Sequence, residues 1–105
     1  MDDNYVCIVT NLMSMSLMEY LNDHYDLLSR SDKLAIFTEI VKAVNHCHEH
    51  GIMHRDIKLE NVLVTVDQDA NITDVRLADF GFACNSDTLS SIENFCGSLA
   101  YMAPE

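Results

Sequence analysis

Glycine is scarce in this chain. Its 105 residues include three glycines, Gly51, Gly81 and Gly97, and no G-x-G-x-x-G run, so these residues carry no glycine-rich turn able to bring backbone N–H groups against phosphates. Basic residues are few as well: 6 against 17 acidic, a formal net charge of −11. That balance repels a phosphate backbone, and nucleic acid is not an expected partner. No apolar run reaches the length of a bilayer span, and Asp2 and Asp3 are the wrong flank for a secretory signal. Neither a membrane partner nor export is therefore expected. The four cysteines (Cys7, Cys47, Cys84, Cys96) form no CxxC pair, which leads us to expect reduced thiols in a cytoplasmic or nuclear protein. Asn71-Ile72-Thr73 fits a glycosylation acceptor but, without an export signal, reads as a turn.

Against these absences stands an apolar content of 49%, enough for a core in a chain of one-domain size. Residues 5–10, YVCIVT, predict a buried strand. The polar stretch NLMSMS follows, then a short helix over Leu17–Leu21 and a polar connector over 22–30. Ser31 is expected to cap a helix reaching His50, with Asp32 in its first turn and apolar residues at Leu34, Phe37, Ile40, Val41 and Val44. Ile36, Ala43 and Cys47 widen that stripe, so burial on more than one side is expected, and Gly51 supplies the stop. NVLVTV (61–66), the turn DQDAN (67–71) and VRLADF (75–80) predict a β-hairpin. Beyond Gly81 the periodicity is lost.

Three motifs then follow in order. HRDIKLEN (54–61) lies between a helix and a strand, DFG (79–81) closes the next strand, and APE (103–105) comes last. The ordered set resembles the protein kinase family. The resemblance implies the two-lobed α+β kinase fold, of which residues 1–105 would form a partial domain: the hinge strand, large-lobe helices, the catalytic hairpin and the activation segment. It implies ATP and Mg²⁺ as cofactors and a protein Ser or Thr hydroxyl as substrate. Asp56 would orient the substrate hydroxyl, and Lys58 would face the transferring phosphoryl group. Asn61 and Asp79 would hold Mg²⁺, for which oxygen ligands are suited. Thr10 would be the gatekeeper, Met13 would offer its backbone to adenine, and Leu63 would pack beneath the ring.

By the same resemblance His54 and Phe80 stack into the column joining the lobes, and Ser98 bonds Asp56 and Lys58. Glu60 would favour a basic residue near the target hydroxyl. Arg55, directly before Asp56, would pair with a phosphate placed on Thr88, Ser90 or Ser91 by an upstream kinase. Leu59 and Leu99 stand where prolines are common, and the hinge is one residue short.

The resemblance also defines what these residues lack. No lysine precedes Lys33, so the strand lysine for the α- and β-phosphates has no counterpart, nor has its glutamate partner. Residues 1–105 alone are therefore expected to be marginally folded and inactive. A second function class stays open: a non-catalytic kinase-like protein acting as a binding or competitor module.

Plainer readings stand beside each assignment. Asp56, Asn61 and Asp79 are ordinary turn formers when met singly, and Arg55 and Lys58 ordinary solvated charges. His46 and His50 at i, i+4 invite zinc, but Gly51 breaks the helix before His54. Met13, Met15 and Met18 also serve as core filler, Cys84 and Cys96 as inert thiols, and the acidic run 67–74 as a solvated loop.

Overall fold

The computed structural model describes residues 5–85. Two α-helices and five short strands, joined in three antiparallel pairings, make up the described residues: β1 (Met15–Ser16), α1 (Leu17–His24), a 3₁₀ turn (Tyr25–Leu27), α2 (Arg30–Glu49), β2 (Ile52–Met53), a second 3₁₀ turn (Leu59–Asn61), β3 (Val62–Val66), β4 (Ile72–Leu77) and β5 (Cys84–Asn85). One sheet has the order β1-β3-β4, and β2 pairs with β5 in the other.

Both helices begin at serines whose hydroxyls take up an orphan backbone N–H. Ser16 accepts from the Glu19 N–H at 3.2 Å. Ser29, not Ser31, caps α2: its hydroxyl accepts from the Asp32 N–H at 3.0 Å while the Asp32 carboxylate accepts from the Ser29 N–H at 2.9 Å. Ser29 and Ser31 both precede a plausible first turn, but of the two only Ser29 has an acidic residue three positions on, and reciprocity decides the start. Ser29→Ala is expected to cost about 1 kcal/mol (roughly 0.5–2) in urea unfolding.

The Ser29 hydroxyl and then its backbone N–H hold the Asp32 carboxyl below its usual range. Because the folded value is the depressed one, this contribution is complete above the ordinary carboxylate pKa. It is lost as pH falls through the folded value. Acid titration of the helical signal should show a step that Ser29→Ala shifts toward the ordinary carboxylate value.

The core consists of Leu17, Tyr20, Val62 and Val64, with Ile36, Ile40, Val75 and Leu77 packed around it. Alternation on β3 puts Val62 and Val64 inward, and Tyr20 donates its hydroxyl to the Ala70 carbonyl at 2.9 Å, tying α1 to the hairpin turn. The hairpin forms as expected, except that its second strand begins at Ile72 and ends at Leu77, so DFG lies beyond the strand end.

Three expectations are corrected. Residues 5–10 form no strand: pairing with β3 begins at Ser14, whose N–H donates to the Val64 carbonyl at 2.9 Å, and β-branched residues with no neighbouring backbone among the described residues have no ladder to join. The connector after Leu21 is partly helical, because α1 runs on to His24 and a 3₁₀ turn follows. Among the described residues, helix α2 packs chiefly against β4 and β2, on one face. Ile36 and Ile40 face the sheet, while Leu34, Phe37 and Val41 are 62%, 61% and 48% exposed, an apolar stripe with no cover among the described residues. No helix among the described residues is long and apolar enough to cross a membrane.

Candidate active site

The segment from His54 to Asn61 contains the three buried polar residues of the described chain. His54 is 2%, Asp56 6% and Asn61 7% exposed, and each needs partners to offset lost water. The His54 Nδ1 accepts from the Asp56 N–H at 3.1 Å, and its Nε2 lies 2.8 Å from the Ala78 carbonyl. The pair of bonds fixes the tautomer: Nδ1 must be bare to accept, so Nε2 carries the proton given to Ala78. The Asn61 amide nitrogen donates to the Asp56 carbonyl at 2.9 Å and to Asp56 Oδ2 at 3.2 Å. Lys58 Nζ stands 3.8 Å from the same Oδ2. Asp56, Lys58 and Asn61 thus form one connected group, with the Asp56 carboxylate held by an amide and faced by an ammonium.

Asp79 is placed through Ala78. The Ala78 N–H donates to the Asn61 carbonyl at 2.8 Å, and its own carbonyl takes the His54 bond, so the residue before Asp79 is clamped to the catalytic-loop candidates on both sides. Asp79 adopts φ 54° and accepts the Gly81 N–H on Oδ1 at 3.2 Å. A Cβ at position 81 would meet that oxygen at 3.1 Å, a reason for glycine there. The rings of His54 and Phe80 meet edge-on at 4.6 Å. Arg55 takes φ 68° and donates its Nε to the Phe82 carbonyl at 2.6 Å. Left-handed backbone at a non-glycine residue costs on the order of 1–3 kcal/mol, and such residues concentrate at functional sites; Arg55 lies within the 54–61 segment and Asp79 just beyond β4.

Beside this group lies a cleft of about 640 Å³ lined by Ile8, Thr10, Met13, Leu63, Asp79 and Phe80 among others. The three residues assigned to the nucleotide, Met13, Leu63 and Asp79, share its wall. The Thr65 hydroxyl lies 3.4 Å from the Met13 sulfur and holds that side chain against β3. Glu60 is exposed on the 3₁₀ turn and lines an adjoining cavity with Met13 and Leu63. Thr88, Ser90, Ser91 and Ser98 lie outside the described residues, as do Leu99 and the APE motif.

The donors fit Mg²⁺ in kind. Asn61 spends its amide nitrogen on Asp56 and has its oxygen to offer, and Asp79 supplies a carboxylate. Among the described residues no three His, Cys, Asp or Glu side chains gather into a metal site, so any Mg²⁺ here would depend on ligand oxygens as well. The His46–His50 pair is engaged otherwise. The rings lie 4.4 Å apart, and His50 Nδ1 is 2.8 Å from the His46 carbonyl.

Two features escaped the sequence reading. Ala78, apolar and without chemistry of its own, is the joint between the two motifs. The β2–β5 pairing places Met53 opposite Cys84, bringing the segment after DFG back beside the loop. No signal marks strands of two residues each.

Comparisons with known proteins agree with this arrangement. The family model described as protein kinase domain matches residues 1–105. A mitosis inducer protein kinase, cdr1, of Schizosaccharomyces pombe is 42% identical over 89 residues, covering 85% of this chain and 14% of that protein. The human NUAK family SNF1-like kinase 1 is 36% identical over 103 residues, covering 98% and 15%. The Arabidopsis thaliana serine/threonine-protein kinase AtPK2/AtPK19 is 47% identical over 79 residues, covering 74% and 16%. The chain thus spans 14% to 16% of the length of these relatives. With the motifs in order, the α+β architecture around them and a family match along its whole length, the chain belongs to the protein kinase domain family.

Proposed function

We propose that residues 1–105 are a partial catalytic domain of an ATP-dependent protein kinase that phosphorylates serine or threonine hydroxyls of a protein substrate. The observation that supports this reading is the hydrogen-bonded group Asp56–Asn61–His54–Ala78, which ties the loop carrying Asp56 to the residue before Asp79, itself a lining residue of the cleft. MgATP would supply the electrophilic phosphoryl group and its charge neutralisation. Asp56, kept in place by the Asn61 amide, would orient the attacking hydroxyl and take its proton. Lys58 would offset charge beside it, and Asn61 and Asp79 would hold the cation. Met13 and Leu63 would grip the base.

Lys58 and Ser98 support a hydroxyl-amino-acid substrate, and Glu60 a basic residue near it. Arg55 would exchange the Phe82 carbonyl for a phosphate on Thr88, Ser90 or Ser91, the product of an upstream kinase. The test is incubation of the full-length polypeptide with MgATP and peptides offering Ser, Thr and Tyr, with the phosphate located by mass spectrometry. Phosphoserine or phosphothreonine is expected, and transfer to tyrosine alone would overturn the assignment.

A second reading, a non-catalytic kinase-like binding module, is favoured for residues 1–105 taken alone by the exposed stripe of Leu34, Phe37 and Val41. By themselves these residues are proposed to be inactive, and ATP-dependent phosphorylation by the isolated 105 residues would contradict that.

A further inference from the structure

The last turn of α2 and its cap carry a metal-ligating pair that the catalytic reading leaves unused: His46 and His50, both exposed and neighbours on the helix surface. Their rings already meet, with centroids 4.4 Å apart and planes inclined at 45°. His50 Nδ1 lies 2.8 Å from the His46 carbonyl. A carbonyl can only accept, so Nδ1 carries the proton and the neutral ring is left with a bare Nε2. A backbone carbonyl on the far nitrogen is the kind of partner that fixes the tautomer and orientation of a metal-bound imidazole. Among the described residues neither ring nitrogen of His46 has a hydrogen-bond partner, so that ring can turn a nitrogen to a shared ion. Two nitrogens on one Zn²⁺, each at about 2.0–2.1 Å, stand roughly 3.3 Å apart. Rings whose centroids are 4.4 Å apart reach that spacing by side-chain rotation, without unwinding the helix.

The neighbours leave the pair open. His54 is no third ligand, since both its ring nitrogens are bonded in the buried loop. Lys42, one turn before His46 on the same row, is drawn to Glu39 at 3.0 Å. The Glu49 carboxylate accepts from the Asn45 amide at 3.0 Å. Among the described residues no third His, Cys, Asp or Glu joins the pair, so water would complete the coordination.

We propose that His46 and His50 bind a divalent transition-metal ion of the imidazole-preferring class, and that the bound ion clamps the end of α2. Imidazole suits Zn²⁺, Ni²⁺ and Cu²⁺, whereas Mg²⁺ takes oxygen ligands, so the site is chemically separate from the nucleotide's cation. The formal net charge of −11 draws cations to it. The clamp acts at a junction, because from His50 the chain turns through Gly51, at φ 70°, into β2 and then His54. An ion that binds the folded turn and not the unfolded chain stabilises it. The site is additional to phosphoryl transfer and does not depend on it.

The test is calorimetric titration of the metal-free full-length polypeptide with Zn²⁺ in the presence of excess Mg²⁺, in wild type, His46→Ala, His50→Ala and His48→Ala. His48 is two residues from each partner and faces another side of the helix. All three histidines are exposed and alanine favours a helix; circular dichroism verifies that the variants fold. The expected result is Zn²⁺ binding that His46→Ala and His50→Ala each weaken by about tenfold or more, while His48→Ala and Asp79→Asn leave it unchanged. Scanning fluorimetry should show a Zn²⁺-induced rise in Tm that is larger in wild type than in the His46→Ala, His50→Ala double variant. No Zn²⁺ binding by the wild type, wild-type affinity in both folded single variants, an equal loss in His48→Ala, or equal Tm rises would overturn the proposal. The readouts need no phosphoryl transfer, so their failure is distinct from failure of the kinase reading.

Discussion

Asp56→Asn in the full-length polypeptide should lower kcat by about 10²–10⁴-fold, the usual contribution of a positioned proton acceptor. The substitution is nearly isosteric. It preserves the loop's shape but replaces the carboxylate that Asn61 and Lys58 contact with an amide that cannot take the substrate proton. ATP affinity should change little, because the nucleotide would rest on Met13, Leu63 and Asp79 across the cleft. The split is the informative part: kcat lost with nucleotide binding retained places Asp56 at the hydroxyl. Single-turnover phosphorylation with calorimetric ATP titration checks it. Equal loss of binding and rate would mean that Asp56 only supports the fold.

Leu17→Ala should destabilise by about 2–5 kcal/mol, the range for emptying a leucine site in a packed core. Leu17 is buried among Tyr20, Val62 and Val64, and α1 packs on both β3 and the 3₁₀ turn that ends in Asn61. A cavity there removes support from beneath the residue that holds Asp56. For a domain of kinase size the loss corresponds to roughly 5–15 °C in Tm. Differential scanning fluorimetry reads the shift directly, and kcat at low temperature should fall less than in Asp56→Asn. A Tm change within a degree or two would show that α1 is not anchored as described.

The parts of this molecule legible in its sequence are those where local pattern and tertiary packing ask for the same thing. The apolar run NVLVTV, bounded by the turn DQDAN, foretold β3, and the apolar spacing after Asp32 foretold α2. The cap was misplaced by two residues because Ser29 and Ser31 are equivalent until the Asp32 side chain chooses between them. YVCIVT reads as a strand on composition, yet a strand is a relation between two backbones, and sequence does not show whether the second is present. Site residue types followed from motif chemistry. Their placement did not: the two bonds of the Ala78 clamp and the bond from Arg55 to the Phe82 carbonyl join residues 17 to 27 positions apart.

The measurement that tests the central claim most directly is calorimetric titration of the full-length polypeptide with a non-hydrolysable ATP analogue, with and without Mg²⁺, in wild type and Asp79→Asn. If the cleft beside the His54–Asn61 group is the MgATP site, wild type binds the analogue more tightly with Mg²⁺ and Asp79→Asn loses that gain. Binding that is indifferent to Mg²⁺ and to Asp79→Asn, or absent from the wild type, would contradict the account.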